Sequence, residues 1–325
     1  MRLAITTLLL TLLFPAGFGC RTESREGKTV DGLTQVTLVL NWYPEAEHGG
    51  YYAALVHGFY EEAGFKVTIV PGGPGAAVIP KVDDRSALFG VENADRVLLG
   101  RAQQADVVAV MAPLQISPRC ILVHRKSGIR KLHDLKNVTL AMNPGATWAK
   151  FLQKKLPLPG VRIVPNSGIA LFLKNDDYAV QGYVFSEPLV AREGGANPLA
   201  LMVSDLGFNP YTSVLLTHAE TVKERPDLVR KIVAASIRGW RKYLEDPETT
   251  NRFIHEQNPK MSLKSLQFGA EAMQPLCITP QFPAEKLGTM TADRWRELAR
   301  QLVEVEALKE ANEQGAYTLE FVGAK

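Results

Sequence analysis

Between residues 33 and 218, short apolar runs alternate with amphipathic stretches, and that rhythm sets the expected architecture. Residues 36–40, Val-Thr-Leu-Val-Leu, predict a strand. Residues 51–63 follow with apolar positions at Tyr52, Leu55, Val56 and Phe59, a helical spacing that stops at Gly64. A second strand over 66–70 ends in Pro71-Gly72-Gly73-Pro74-Gly75, which is loop chemistry. A strand over 87–91, a helix over 93–103 and a strand over 107–111 complete a βαβα series. Such a series builds a mostly parallel sheet with helices on its faces.

The rhythm restarts after Ser117-Pro118. Strands are expected at 120–124, 138–142, 161–164, 183–185, 199–203 and 213–217, with helices at 147–156 and 169–174. From Ala219 onward the pattern is helical. Its strongest stretch, 228–244, carries Leu228, Ile232, Ala235, Ile237 and Trp240 on one broad apolar face and closes at Asp246-Pro247. The expectation is an α/β protein of two lobes, each a mostly parallel sheet flanked by helices, with a helical C-terminal tail returning to the first lobe. Residues 34–113 plus 211–325 would form lobe one and 114–210 lobe two.

The N-terminus changes the picture of compartment. Arg2 precedes an apolar run over 3–14, and small residues lead from Pro15 to Cys20. This reads as a secretory signal over 1–19, too short for a comfortable membrane span; a buried N-terminal helix is the competing reading. Gly17-Phe18-Gly19-Cys20 resembles the lipobox of bacterial lipoproteins, with Gly17 where that motif carries Leu. The resemblance implies acylation of Cys20, anchoring at the periplasmic or cell-surface face of a membrane, and a tether over 20–33.

Composition adds exclusions. Hydrophobic residues make up 46% of the chain and charged ones 22%, as in ordinary globular proteins. A net charge of +3 without a Lys/Arg run speaks against a nucleic-acid partner. Beyond Cys20 only Cys120 and Cys277 remain, and spacing leaves their pairing open. No Cys/His cluster has metal-ligand spacing, and no GxSxG, HExxH or P-loop occurs, so neither metal nor cofactor is expected.

The most distinctive segment is Asn41-Trp42-Tyr43-Pro44-Glu45-Ala46-Glu47-His48-Gly49-Gly50-Tyr51-Tyr52. It follows the first strand, at the sheet edge where open α/β folds bind ligands. There Trp42 and Tyr52 would sandwich a flat ring, His48 would meet a heteroatom, and Gly49-Gly50 would let backbone amides approach. The plainer reading is that these aromatics pack the lobe. Glu92 and Asn93 occupy the equivalent edge of the third strand, with a helix N-cap as the alternative role for Asn93. His57, His124, His133, His218 and His255 show no mutual spacing and read as packing or surface residues.

The segment is similar to the N-W-x-P-x-x-x-H-x-G-x-Y-x-A start of solute-binding proteins in the sulfonate, nitrate and thiamine-precursor branch, most of all those binding pyrimidine precursors of thiamine. Further matches are Phe89-Gly90-Val91, Gln115-Ile116-Ser117-Pro118, Ser127-Gly128-Ile129 and Gly182-Tyr183-Val184-Phe185-Ser186-Glu187-Pro188, so that the resemblance spans about 34–240. It implies a type II periplasmic-binding-protein-like fold, a small-molecule ligand held between hinged lobes, and an ABC permease and ATPase as partners of a monomer. Trp42 would stack on a heterocycle near His48 and Tyr52. Glu187, assisted by Asn41, would accept from a ring amino group; a helix N-terminal charge is the other reading of Glu187. Ser186 stands where Asn is familiar, and Asp83-Asp84-Arg85-Ser86 replaces a Gly-containing turn. An alkanesulfonate, nitrate or flavin ligand is the alternative. A pyrimidine-synthase-type enzyme using His48 is disfavoured by the export signal and the lack of a Cys cluster.

Overall fold

Central strands of a parallel sheet are covered on both faces and therefore run almost continuously apolar. Val107–Met111 runs apolar in the same way, buried along its whole length in the computed structural model, which describes residues 27–322, although it stands at the end of its sheet and pairs antiparallel. It is β5 of a first sheet made by β1 (Thr29–Val30), β2 (Leu33–Val39), β3 (Phe65–Val70), β4 (Phe89–Glu92) and, much later in the chain, β11 (Val214–His218). The order runs β2-β4-β11-β5, with β1 and β3 also paired to β2. Strands β3 and β4 lie parallel to β2, whereas β11 is antiparallel to both β4 and β5.

A second sheet comprises β6 (Arg119–His124), β7 (Thr139–Ala141), β8 (Arg162–Val164), β9 (Tyr178–Tyr183) and β10 (Pro198–Met202), in the order β10-β6-β9-β7-β8. Here β6 is the antiparallel strand. Two segments, 112–118 and 203–213, carry the chain between the sheets, and they touch at the bridge between Leu114 and Thr212.

Helices cover the first sheet: α1 (Gly49–Val56), α2 (Phe59–Glu62), α3 (Val78–Asp83) and α4 (Ala94–Ala102). The second carries α5 (Thr147–Lys155), α6 (Ala170–Lys174) and α7 (Glu187–Glu193). The tail supplies α8 (Ala219–Glu224), α9 (Pro226–Glu245), α10 (Glu248–Gln257), α11 (Leu263–Cys277) and α12 (Ala292–Glu304). Helix α9 buries Leu228, Ile232, Ala235 and Trp240 against α1. Helix α12 packs on both α4 and α5, so the tail reaches the second sheet's helices as well as the first lobe. Its Arg294 donates to the carbonyls of Gln115 at 2.7 Å and Asn209 at 2.8 Å, one on each connecting segment, and lies over the Tyr211 ring.

Several expectations need correction. The helix expected over 51–63 is two helices, because Gly58 takes a left-handed backbone (φ 73°) between α1 and α2. The strand expected at 183–185 ends at Tyr183 and begins at Tyr178. The expected tether over 20–33 is not free throughout: β1 forms a hairpin on β2, and Gly27 N–H donates to the Gln35 carbonyl at 2.8 Å. Gly49 and Gly50 face helix α9 rather than a ligand. A Cβ on Gly50 would stand 2.1 Å from the Trp240 ring, and one on Gly49 2.1 Å from Tyr243. Cys120 and Cys277 are both buried and unpaired. Cys20 lies outside the described residues. No helix among the described residues is long and apolar enough to cross a membrane.

Candidate ligand-binding site

Strand ends from both sheets converge on one cleft of ≈ 870 Å³. From the first sheet come Asn41 and Trp42, which follow β2, and Glu92 and Asn93, which close β4. From the second come Asn143 beyond β7, the end of β9 with Tyr183, Arg119 at the start of β6, and Glu187 opening α7. This is the carboxyl-end geometry in which open α/β sheets place ligands.

Trp42 is held by its backbone, since its carbonyl accepts from Gly72 N–H at 2.9 Å. That approach needs glycine: a Cβ on Gly72 would stand 2.1 Å from the Leu40 carbonyl oxygen. The indole itself is 40% exposed and meets Tyr43 edge-on at 5.4 Å, so the cleft mouth offers an aromatic surface unclaimed by the core.

Behind it lies a chain of polar contacts. The Asn41 amide donates to Glu47, and Asn41 Oδ1 stands 2.9 Å from His48 Nε2. Ser213, in a left-handed backbone (φ 55°), donates its hydroxyl to Glu47 Oε1 at 2.9 Å. His48 is fully buried, and burial depresses its pKa to about 3. It does not line the cleft; it fixes Asn41, which does. Tyr52 is buried too, set against Phe253 at 5.9 Å and away from the cleft wall. The structure thus brings Asn41, Trp42, Glu92, Asn93 and Glu187 together and leaves His48 and Tyr52 behind them.

Glu187 stands both at a helix start and on the cleft wall. It is the first residue of α7, with Pro188 next, and its Oε2 accepts Tyr183 N–H at 2.6 Å while the side chain lines the cleft. Gly182 makes room, because a Cβ there would lie 2.8 Å from that of Glu187. Glu92 Oε1 accepts Asn93 N–H at 2.9 Å, and burial pushes its pKa up to about 7. Asn93 stands at the N-cap position of α4, but its side chain makes no capping bond, and its Oδ1 is buried without a partner among the described residues.

Pattern reading missed Glu45, Glu47 and Arg119, all of which line the cleft. Burial raises the pKa of Glu45, Glu47 and Glu187, and the Arg119 guanidinium opposes the rise at Glu47 and Glu187. Arg119 lies over the rings of Trp148 at 5.0 Å and Tyr183 at 4.7 Å and donates to the Tyr183 hydroxyl. The sequence signal for the glutamates was present: two carboxylates two residues apart, between Pro44 and His48.

Two α/β sheets, two connecting segments and a cleft between strand ends define the periplasmic-binding-protein fold. The periplasmic aliphatic sulphonate-binding protein of Escherichia coli superposes with a TM-score of 0.70 at 14% identity, over 90% of this chain and 94% of that one. The chain belongs to the NMT1/THI5-like family, whose model matches residues 45–250. Among curated relatives, a riboflavin-binding protein of Chloroflexus aurantiacus is 25% identical over 74% of this chain and 72% of its own length. A formylaminopyrimidine-binding protein of Halalkalibacterium halodurans is 23% identical over 90% of this chain and 91% of its own. A 4-amino-5-hydroxymethyl-2-methylpyrimidine phosphate synthase of Legionella pneumophila is 23% identical over 70% of this chain and 75% of its own.

Proposed function

We propose that this chain is the solute-binding component of an ABC importer and captures a planar, amino-bearing heterocycle of the thiamine-pyrimidine class. The observation that carries the reading is the placement of Trp42 and Glu187 in one cleft, an open aromatic face from one sheet and a carboxylate from the other. Stacking supplies the apolar contact, and a carboxylate accepting from an exocyclic amino group supplies direction. The lobes, 34–113 plus 211–325 and 114–210, close about the segments that bear Leu114 and Thr212. The formylaminopyrimidine-binding relative, matched over most of both chains, supports the ligand class.

Riboflavin is the second reading, favoured by the riboflavin-binding relative and by a cleft of ≈ 870 Å³, within the usual range for small-molecule sites. A nitrate or alkanesulfonate fits less well, because its charge would join that of the carboxylates lining the cleft. Catalysis through His48 is disfavoured by its burial and its neutral ring. Export and a lipid anchor at Cys20 belong to the same reading, supported by the N-terminal pattern. Mass spectrometry of the mature N-terminus tests the anchor; an unmodified terminus downstream of Cys20 removes it. Isothermal titration with a formylaminopyrimidine and with riboflavin tests capture: binding of neither overturns both ligand readings.

A further inference from the structure

Four glutamates line the cleft, and three of them, Glu45, Glu47 and Glu187, act on one another and are satisfied unequally. Glu47 takes the Ser213 hydroxyl and the Asn41 amide and feels Arg119. Glu187 takes the Tyr183 N–H and feels Arg119 as well. Glu45 is only 9% exposed, lines the cleft, and has no side-chain hydrogen bond or ion pair among the described residues. The charges that act on it are those of Glu47 and Glu187, both of its own sign.

Arg119 does not make up the deficit. It is committed to Trp148, Tyr183 and the two better-satisfied glutamates. A buried carboxylate with no partner destabilises the protein that carries it, and such groups persist where they serve a ligand. The turn bearing Glu45 is itself firmly placed. Asn258 Nδ2 donates to the Pro44 carbonyl at 2.9 Å, and Gly269 on α11 lets Ala46 approach.

We propose that Glu45 is the counter-ion of the captured solute: the ligand binds as a cation carrying N–H bonds, an ammonium or a protonated amino-heterocycle, with its charged end at Glu45 and its ring against Trp42. This rests on the capture reading above and adds the ligand's charge to it. The positive group completes the balance that Arg119 leaves open between three carboxylates, and its N–H bonds supply the donors that Glu45 lacks.

The test compares an aminomethyl-substituted aminopyrimidine, whose side chain is an ammonium at pH 7, with its uncharged hydroxymethyl counterpart. Benzylamine and benzyl alcohol form a second pair that carries the charge without the pyrimidine. Isothermal titration on the wild-type protein is expected to favour the ammonium member of the pyrimidine pair by about tenfold or more. Glu45→Gln is expected to cut that preference to about twofold or less and to raise the thermal midpoint of the ligand-free protein. Equal binding of both members overturns the inference and needs no variant. So does a preference that survives Glu45→Gln, or a midpoint that falls, since the carboxylate would then be satisfied within the fold. If no pair and no riboflavin binds, the capture reading fails and the inference with it. If the pairs bind without regard to charge, only the inference fails.

Discussion

Thr147 Oγ1 donates to Asp95 Oδ2 across 2.7 Å, joining the first turn of α5 on the second sheet to the first turn of α4 on the first sheet. Both residues line the cleft, so this bond spans the gap that a hinge would open. Thr147→Val keeps the shape and removes the donor. Ligand affinity is expected to fall about five- to tenfold, with the ligand-free melting midpoint little changed. Titration calorimetry checks the first, and small-angle scattering should show a more open ligand-free particle.

Trp42 offers a second prediction. Its indole is 40% exposed and borders the cleft, so Trp42→Ala removes ligand contact rather than core. Affinity for the bound heterocycle is expected to drop about tenfold or more, with thermal stability unchanged. Full affinity in the variant would remove the stacking role.

Glu92 predicts a dependence on pH. Its folded pKa, about 7, lies above the ordinary value of 4.5; burial is the main cause, opposed by Asn93 N–H and Arg96 and reinforced by Asp95 and Glu47. The native state therefore holds more protons than the unfolded chain between those values, and stability falls as pH rises through the window. Glu92→Gln should be stabilising at pH 8, by up to roughly 3 kcal/mol, and neutral near pH 4.5. Denaturant titration of both proteins across that range checks it. Taking the difference cancels His48, whose depressed pKa acts in the opposite direction.

His48 itself should stay silent. With a pKa of about 3, its ring nitrogens should show no titration between pH 5 and 8 in nitrogen-detected NMR spectra. A midpoint near neutrality would reopen acid–base chemistry at this residue.

Gly50→Ala tests the contact of α1 with α9. The added methyl would meet the Trp240 ring at 2.1 Å, and Gly239 already sits against the Gly50 carbonyl. With no slack on either helix, the cost is expected to be about 2 kcal/mol or more, read as a lowered unfolding midpoint without a specific effect on ligand affinity.

How much of this was legible depends on which physical signal each residue emits. Strand β5 announced itself because five consecutive buried side chains leave no polar position. Strand β9 did not, since Gln181 and Gly182 interrupt its apolar run and Asp176-Asp177 precede it. Trp42, Glu92 and Glu187 were readable as residues at strand ends, where the fold collects ligand contacts. His48 and Tyr52 carry equally suggestive chemistry, but whether a side chain faces a cleft or the layer behind it is settled by packing against α9 and α10, over a hundred residues away. Arg119 was invisible for a related reason: a lone arginine opening a strand gains its meaning only when Trp148 and Tyr183 close over it.

Arg294 holds the carbonyls of Gln115 and Asn209 together, and Trp295 is its immediate neighbour, stacked on Tyr317 at 5.2 Å. A rotation about the two connecting segments must therefore pull on α12. The C-terminal helix becomes a lever whose fulcrum is a single guanidinium, and Trp295 an optical gauge of its position. Its fluorescence should register occupancy of a cleft that it never touches.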